Sequence, residues 1–108
     1  MPSSIKCTFA AWLALVAVAG TAHAATPESL IVTAGCSACH AANAKIVGPS
    51  FHDIAGRYKA DPTASATLAA KVRSGGKGVW GPMPMPPSDA KKISDADLAA
   101  VIAWILKQ

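Results

Sequence analysis

Residues 36–40 read Cys-Ser-Ala-Cys-His, and this stretch decides the predicted fold more than any other part of the chain. Two thiols three positions apart lie on the same side of one helical turn, where both can add to the vinyl groups of one porphyrin. The imidazole of His40 follows directly and can lie under the iron as its proximal ligand. C-x-x-C-H is the attachment motif of c-type haem. We therefore predict one haem c, bound covalently through Cys36 and Cys39.

Other interpretations of the cysteine pair fit the sequence less well. A zinc site needs two further ligands, and after His40 only His52 and a few carboxylates remain, with no second cysteine pair. A thioredoxin-like redox pair requires a βαβ pattern around it, and no strand-like run flanks this motif. A structural disulfide between the two cysteines is the main alternative to haem attachment.

The first 24 residues have the features of a secretory signal. Lys6 provides a positive charge, residues 9–20 form an apolar stretch too short to span a bilayer comfortably, and residues 22–24 read Ala-His-Ala. We predict that residues 1–24 are cleaved, leaving one domain of residues 25–108. An uncleaved membrane anchor is the alternative, but no charged stop-transfer flank follows the apolar stretch.

The composition limits the partners and the size of the core. The full chain has a formal net charge of +4, and loss of the signal would leave nine basic and six acidic residues, or +3. Two haem propionates would bring this charge close to neutral, so we predict no nucleic-acid partner. The remaining 84 residues form a small core, and an apolar macrocycle held by two covalent bonds would fill its centre.

The spacing of apolar residues and cap residues predicts an all-α domain. Predicted helices begin near Thr26, Phe51, Thr63 and Ser94. The last of them carries apolar residues at i, i+3, i+4 and i+7, which predicts a buried stripe. Residues 75–87 contain four glycines and four prolines, so they predict a stiff loop.

A second axial ligand would have to come from Met83, Met85 or His52. His52 lies twelve residues beyond His40 in a predicted helix, from which reaching across the porphyrin is awkward, so we expect an exposed helical histidine. Both methionines lie in the stiff loop, which suits the presentation of one thioether. Spacing does not choose between them, because each lies between prolines.

The chain resembles the small bacterial class I cytochromes c of the cytochrome c-551 kind. The resemblance is carried by CSACH at 36–40, VGPS at 47–50, GVWGPMPMPP at 78–87 and a closing helix with Trp104. It implies the class I cytochrome c fold, in which four to five short helices wrap around one covalently bound haem c. The stretch 88–94 is a few residues longer than is usual in this family, which we interpret as surface variation.

The resemblance also implies the ligands of the iron. Met85, in the PMPP context, would be the metal ligand opposite His40, and Met83 would pack as an apolar residue. The backbone carbonyl of Pro49 would accept the Nδ1–H of His40, which fixes its tautomer. Ser88 replaces an asparagine that hydrogen-bonds the methionine sulfur in this family.

Two further cofactor contacts follow from the resemblance. Trp80 would donate its indole N–H to a haem propionate, and its alternative role is that of a packed aromatic residue. Lys71 would be a basic partner of a propionate, or else a solvated lysine on a helix.

The function implied is that of a soluble periplasmic one-electron carrier, not an enzyme. It would be a monomer without stable membrane insertion, shuttling electrons between membrane or periplasmic redox proteins such as a quinol–cytochrome c reductase and a terminal oxidase or reductase. One alternative is a haem c subunit of a larger redox enzyme; another is a peroxidase or gas sensor with a labile sixth ligand. Scattered lysines suggest partners with an acidic docking patch, or else form an ordinary solvated surface: Lys45, Lys59, Lys77, Lys91 and Lys92.

Overall fold

The computed structural model describes residues 14–20 and 23–108. Residues 14–20 have no regular structure and are exposed. Most of the predicted signal, namely residues 1–13 and 21–22, lies outside the described residues, so its cleavage stays a prediction. Within the described ranges, no helix combines the length and the apolar character needed to cross a membrane.

The described part of the chain contains four α-helices and one 3₁₀ turn. They are α1 (Pro27–Thr33), the 3₁₀ turn (Cys36–Ala38), α2 (Phe51–Tyr58), α3 (Ala64–Ser74) and α4 (Asp95–Ile105). Over residues 14–20 and 23–108 the only β-type pairings are two isolated bridges. The prediction of an all-α domain is confirmed, and the four helices lie where the spacing predicted them.

Hydroxyl side chains start three of the four helices. Thr26, Ser50 and Ser94 precede α1, α2 and α4, and each side-chain oxygen accepts a hydrogen bond from the backbone N–H three residues later, at 3.2, 3.0 and 3.1 Å. Such a cap satisfies one of the N–H groups that the first turn leaves free and contributes about 1 kcal/mol. Short helices of 7 to 11 residues depend on these caps and on packing.

The turn before α3 is fixed differently. The carboxylate of Asp61 accepts hydrogen bonds from the backbone N–H and the hydroxyl of Thr63, both at 2.8 Å. These two bonds favour the charged carboxylate and lower the pKa of Asp61 below its usual value. The turn therefore sets the entry of α3 without a side-chain cap at Thr63.

Helix α4 is the centre of the packing, because α1, α2 and α3 all contact it. The buried core contains Leu30, Ile31, Ala34, Phe51, Ile93, Leu98, Val101 and Ile102. Trp104 lies edge-on to Phe51, with ring centroids 5.7 Å apart, and its Nε1 donates to Oε1 of Glu28 at 2.9 Å. Helices α1 and α4 are thus joined by packing and by a hydrogen bond at the rim.

Candidate functional site

One large cleft opens beside this helical core. It encloses about 1300 Å³ of space, part of it open to solvent. Its walls come from α2, α3, α4, the 3₁₀ turn and the loop of residues 75–88. The lining is mainly aliphatic and aromatic, so the cleft suits a large, flat and largely apolar group.

The 3₁₀ turn places both cysteines on the cleft. Gly35 has φ = 81°, a left-handed conformation that ends α1 and turns the chain. The carbonyl of Cys36 then accepts hydrogen bonds from the backbone N–H groups of Cys39 (3.1 Å) and His40 (3.0 Å). Both cysteines are half-buried free thiols, and burial raises the pKa of the Cys36 thiol. Both cysteines line the cleft.

The imidazole of His40 is held by three neighbours. Its Nδ1 lies 2.7 Å from the carbonyl oxygen of Pro49. A carbonyl can only accept, so Nδ1 is the donor in this hydrogen bond, and in the neutral imidazole Nε2 then has a free lone pair. The Phe51 ring stacks on the imidazole at 5.7 Å between centroids. The backbone of Gly48 lies so close that a Cβ there would be 2.7 Å from Cε1 of His40.

The two candidate methionines have different environments. Both border the cleft, but Met83 is 62% exposed, whereas Met85 is half-buried. Met85 forms an isolated bridge with Gly76, its N–H donating at 2.8 Å and its carbonyl accepting at 3.0 Å. Gly75 (φ = 66°) lies beneath it, and a Cβ there would clash with the Met85 carbonyl oxygen.

The third candidate ligand lies elsewhere. His52 is exposed on α2 and is not among the residues that line the cleft. Its position agrees with the expected exposed helical histidine. Ser88 does border the cleft and is half-buried.

Trp80 and Lys71 lie at different parts of the cleft wall. Trp80, 37% exposed, has the guanidinium carbon of Arg57 4.9 Å from its ring centroid, within cation–π range. Arg57 also donates to the carbonyl of Val79 at 3.3 Å. Lys71 extends from α3 toward Gly76, where a Cβ would be 3.0 Å from its Nζ. The roles of Trp80 and Lys71 toward haem propionates stay predictions.

Two contacts of the site were not expected from the sequence. Gly48, whose backbone lies close to the imidazole, belongs to the VGPS segment. The glycine in that segment was the sequence feature that could have indicated a close approach. Arg57 is separated from Trp80 by a whole helix and a loop, so no local pattern indicated their contact.

The donor set fits a haem iron better than a zinc ion. The residues that border the cleft include two thiols, the imidazole of His40 and two thioether sulfurs, within apolar walls, and side chains of these kinds are the axial and covalent attachment groups of cytochromes c. Among residues 14–20 and 23–108, no three His, Cys, Asp or Glu side chains come together as a metal cluster. The zinc interpretation therefore has no set of ligands in this part of the chain.

Comparison with known proteins gives a consistent result. A family model described as Cytochrome c matches residues 25–108. Cytochrome c2 of Rubrivivax gelatinosus is 49% identical over 83 residues, covering 77% of this chain and 98% of that protein. Cytochrome c-551 of Pseudomonas aeruginosa is 41% identical over 87 residues, or 81% of each chain.

Solved structures support the same assignment. The crystal structure of wild-type Nitrosomonas europaea cytochrome c552 matches with a TM-score of 0.68 at 42% identity, covering 74% of this chain and 96% of that one. The expected class I cytochrome c fold is thereby confirmed. The chain belongs to the cytochrome c family of electron-transfer proteins, and it carries haem c bound covalently through Cys36 and Cys39.

Proposed function

We propose that this protein is a soluble periplasmic one-electron carrier whose haem iron is ligated by His40 and Met85. The observation that carries the proposal is the hydrogen bond from His40 Nδ1 to Pro49, at 2.7 Å, because it leaves Nε2 free to bind a metal. Met85 borders the same cleft with a thioether sulfur. When bound, haem supplies an iron that cycles between the ferrous and ferric states.

The residues around His40 would keep one ligand fixed in both oxidation states. The Pro49 carbonyl holds the proton on Nδ1, which makes Nε2 a stronger ligand for a metal ion. Gly48 and Phe51 confine the ring from two other sides. A ligand that does not move when the electron arrives keeps the reorganisation barrier low.

Met85 would supply the opposite ligand and set the potential. A thioether donor favours the ferrous state and raises the potential relative to a second imidazole. The double hydrogen bond to Gly76 and the prolines on both sides of Met85 limit its freedom. If His40 and Met85 both bind the iron, no coordination position would remain for a substrate, which favours a carrier over a peroxidase or gas sensor.

Electron exchange would take place at the cleft mouth. Exposed apolar residues there, Val79, Trp80 and Met83, provide a surface for brief encounters, and redox complexes of this kind bury little area. We propose that a quinol–cytochrome c reductase is the donor and a terminal oxidase or reductase the acceptor. We also propose that residues 1–24 direct the chain to the periplasm and that the carrier is a monomer.

The visible spectrum of the purified ferric protein tests this proposal. We expect a low-spin haem with a sulfur-to-iron charge-transfer band. A high-spin spectrum with fast cyanide binding would instead support a peroxidase or sensor. Gel filtration of the native periplasmic extract separates a free carrier from a subunit of a larger redox enzyme.

A further inference from the structure

The segment that carries Met85 has few ways to be held in place. Pro86 and Pro87 follow directly and have no backbone N–H. Ser88 is therefore the first residue after Met85 whose backbone can donate a hydrogen bond. Its N–H donates to the carbonyl of Val72 at 2.9 Å, one of the C-terminal carbonyls of α3 that lack an intrahelical partner.

The carbonyl of Ser88 is held by a side chain. Nη1 of Arg73, in the last turn of α3, donates to it at 3.2 Å. The other terminal nitrogen, Nη2, contacts Oδ1 of Asp95 at 2.6 Å. Asp95 is the first residue of α4, so one guanidinium connects α3, the segment after Met85 and the start of α4.

The geometry of the guanidinium explains why both contacts matter. The Arg73 side chain is 25% exposed and that of Asp95 is 94% exposed, and ion pairs this open to water contribute little stability by themselves. The ion pair with Asp95 nevertheless fixes the orientation of the planar Arg73 guanidinium, so that Nη1 is directed at the Ser88 carbonyl. A lysine has one nitrogen and cannot match this two-sided geometry.

We propose that Arg73 is a positioning residue for Met85, acting through Ser88 without touching Met85 itself. This inference rests on the proposed function, in which Met85 is an iron ligand. The other attachments of the segment, to Gly76 and Val72, are made by backbone groups. Arg73 is thus a side chain whose substitution should change how firmly Met85 is held.

The test is an imidazole titration of the ferric, haem-loaded protein, following loss of the sulfur-to-iron charge-transfer band. Imidazole competes with Met85, so a less firmly held Met85 gives tighter imidazole binding. For Arg73→Gln we expect roughly three- to tenfold tighter binding, the effect of one net hydrogen bond. Asp95→Asn should give a smaller change in the same direction. Arg73→Lys should have an imidazole affinity between those of the wild type and Arg73→Gln.

Two controls separate positioning from general destabilisation. Lys91→Gln removes an exposed positive charge on the turn before α4 and should leave imidazole affinity unchanged. Glu28→Ala removes the hydrogen bond to Trp104 on the α1 side and should lower the unfolding free energy without a matching gain in imidazole affinity.

The outcomes are distinguishable. If the wild type shows the charge-transfer band and Met85→Ala loses it, but Arg73→Gln binds imidazole no more tightly, this inference is wrong and the proposed function stands. The same holds if Glu28→Ala tightens binding as much as Arg73→Gln at equal loss of stability. If the wild type shows no such band, both the ligation by Met85 and the role of Arg73 are wrong.

Discussion

Gly48 lies against the face of His40 so closely that a Cβ at this position would be 2.7 Å from Cε1 of the imidazole. The contact is with a ring whose Nδ1 is already bound to Pro49. A side chain at position 48 would therefore press on a ring that this hydrogen bond already orients.

Gly48→Ala should move the imidazole and weaken its metal bond. We expect a loss of about 1–3 kcal/mol in unfolding free energy, the usual cost of overpacking, measured by denaturant titration of the haem-loaded protein. Gly56→Ala is the matched control, because nothing lies within 4 Å of a Cβ there, and in helix α2 it should be neutral or stabilising by about 0.4–1 kcal/mol. Equal effects of the two substitutions would contradict this account of Gly48.

Met85→Ala should remove the second axial ligand. We expect the charge-transfer band to disappear, the potential to fall and cyanide to bind faster, because the iron then has an open position. Met83→Ala is the control, since Met83 is 62% exposed, and should keep the wild-type spectrum. If only Met83→Ala changes the spectrum, the ligand is Met83.

Gly75→Ala should displace Met85 by pushing on its backbone. A Cβ at Gly75 would clash with the Met85 carbonyl oxygen and lie 2.8 Å from the Pro87 nitrogen. Gly78 also has a positive φ, of 103°, but no atom lies within 4 Å of a Cβ there, so Gly78→Ala should show backbone strain without a clash. We expect both variants to lose stability, but only Gly75→Ala to bind imidazole more tightly. Similar imidazole affinities would show that strain, not the clash, decides the effect.

Stability should fall in acid partly through Asp61. Hydrogen bonds from the N–H and hydroxyl of Thr63 lower the pKa of its carboxyl in the folded state. The corresponding stabilisation is therefore complete at pH values above the unfolded pKa of about 3.9 and is lost as the pH falls through the lower, folded pKa. Asp61→Asn should remove this component, so its denaturation midpoint should vary less with pH than that of the wild type between about pH 5 and pH 2. Parallel curves would contradict the assignment.

Local rules in the sequence predicted most of the fold. Thr26 and Ser94 begin helices because a hydroxyl can cap the first turn, and the glycines and prolines of residues 75–87 exclude a helix. The C-x-x-C-H motif indicated the cofactor because its chemistry depends on spacing alone. Each of these features is encoded within a few adjacent residues.

The long-range contacts around the cleft were not predictable in the same way. Arg73 and Ser88 are fifteen residues apart, and Arg57 and Val79 are twenty-two apart. Their meeting depends on how a loop without regular structure folds back on a helix. Met83 and Met85 both lie between two prolines. The course of the loop in three dimensions leaves Met83 exposed and Met85 half-buried.

The hydrogen bond between Trp104 and Glu28 joins two residues that are 76 positions apart, and so closes a loop of that length in the chain. The entropy lost in closing such a loop grows only with the logarithm of its length, so inserting three or four residues costs less than about 0.1 kcal/mol. The turn between Ser88 and Ile93 can therefore gain a few residues at little entropic cost, while the paired first and last helices keep the same frame for the cofactor.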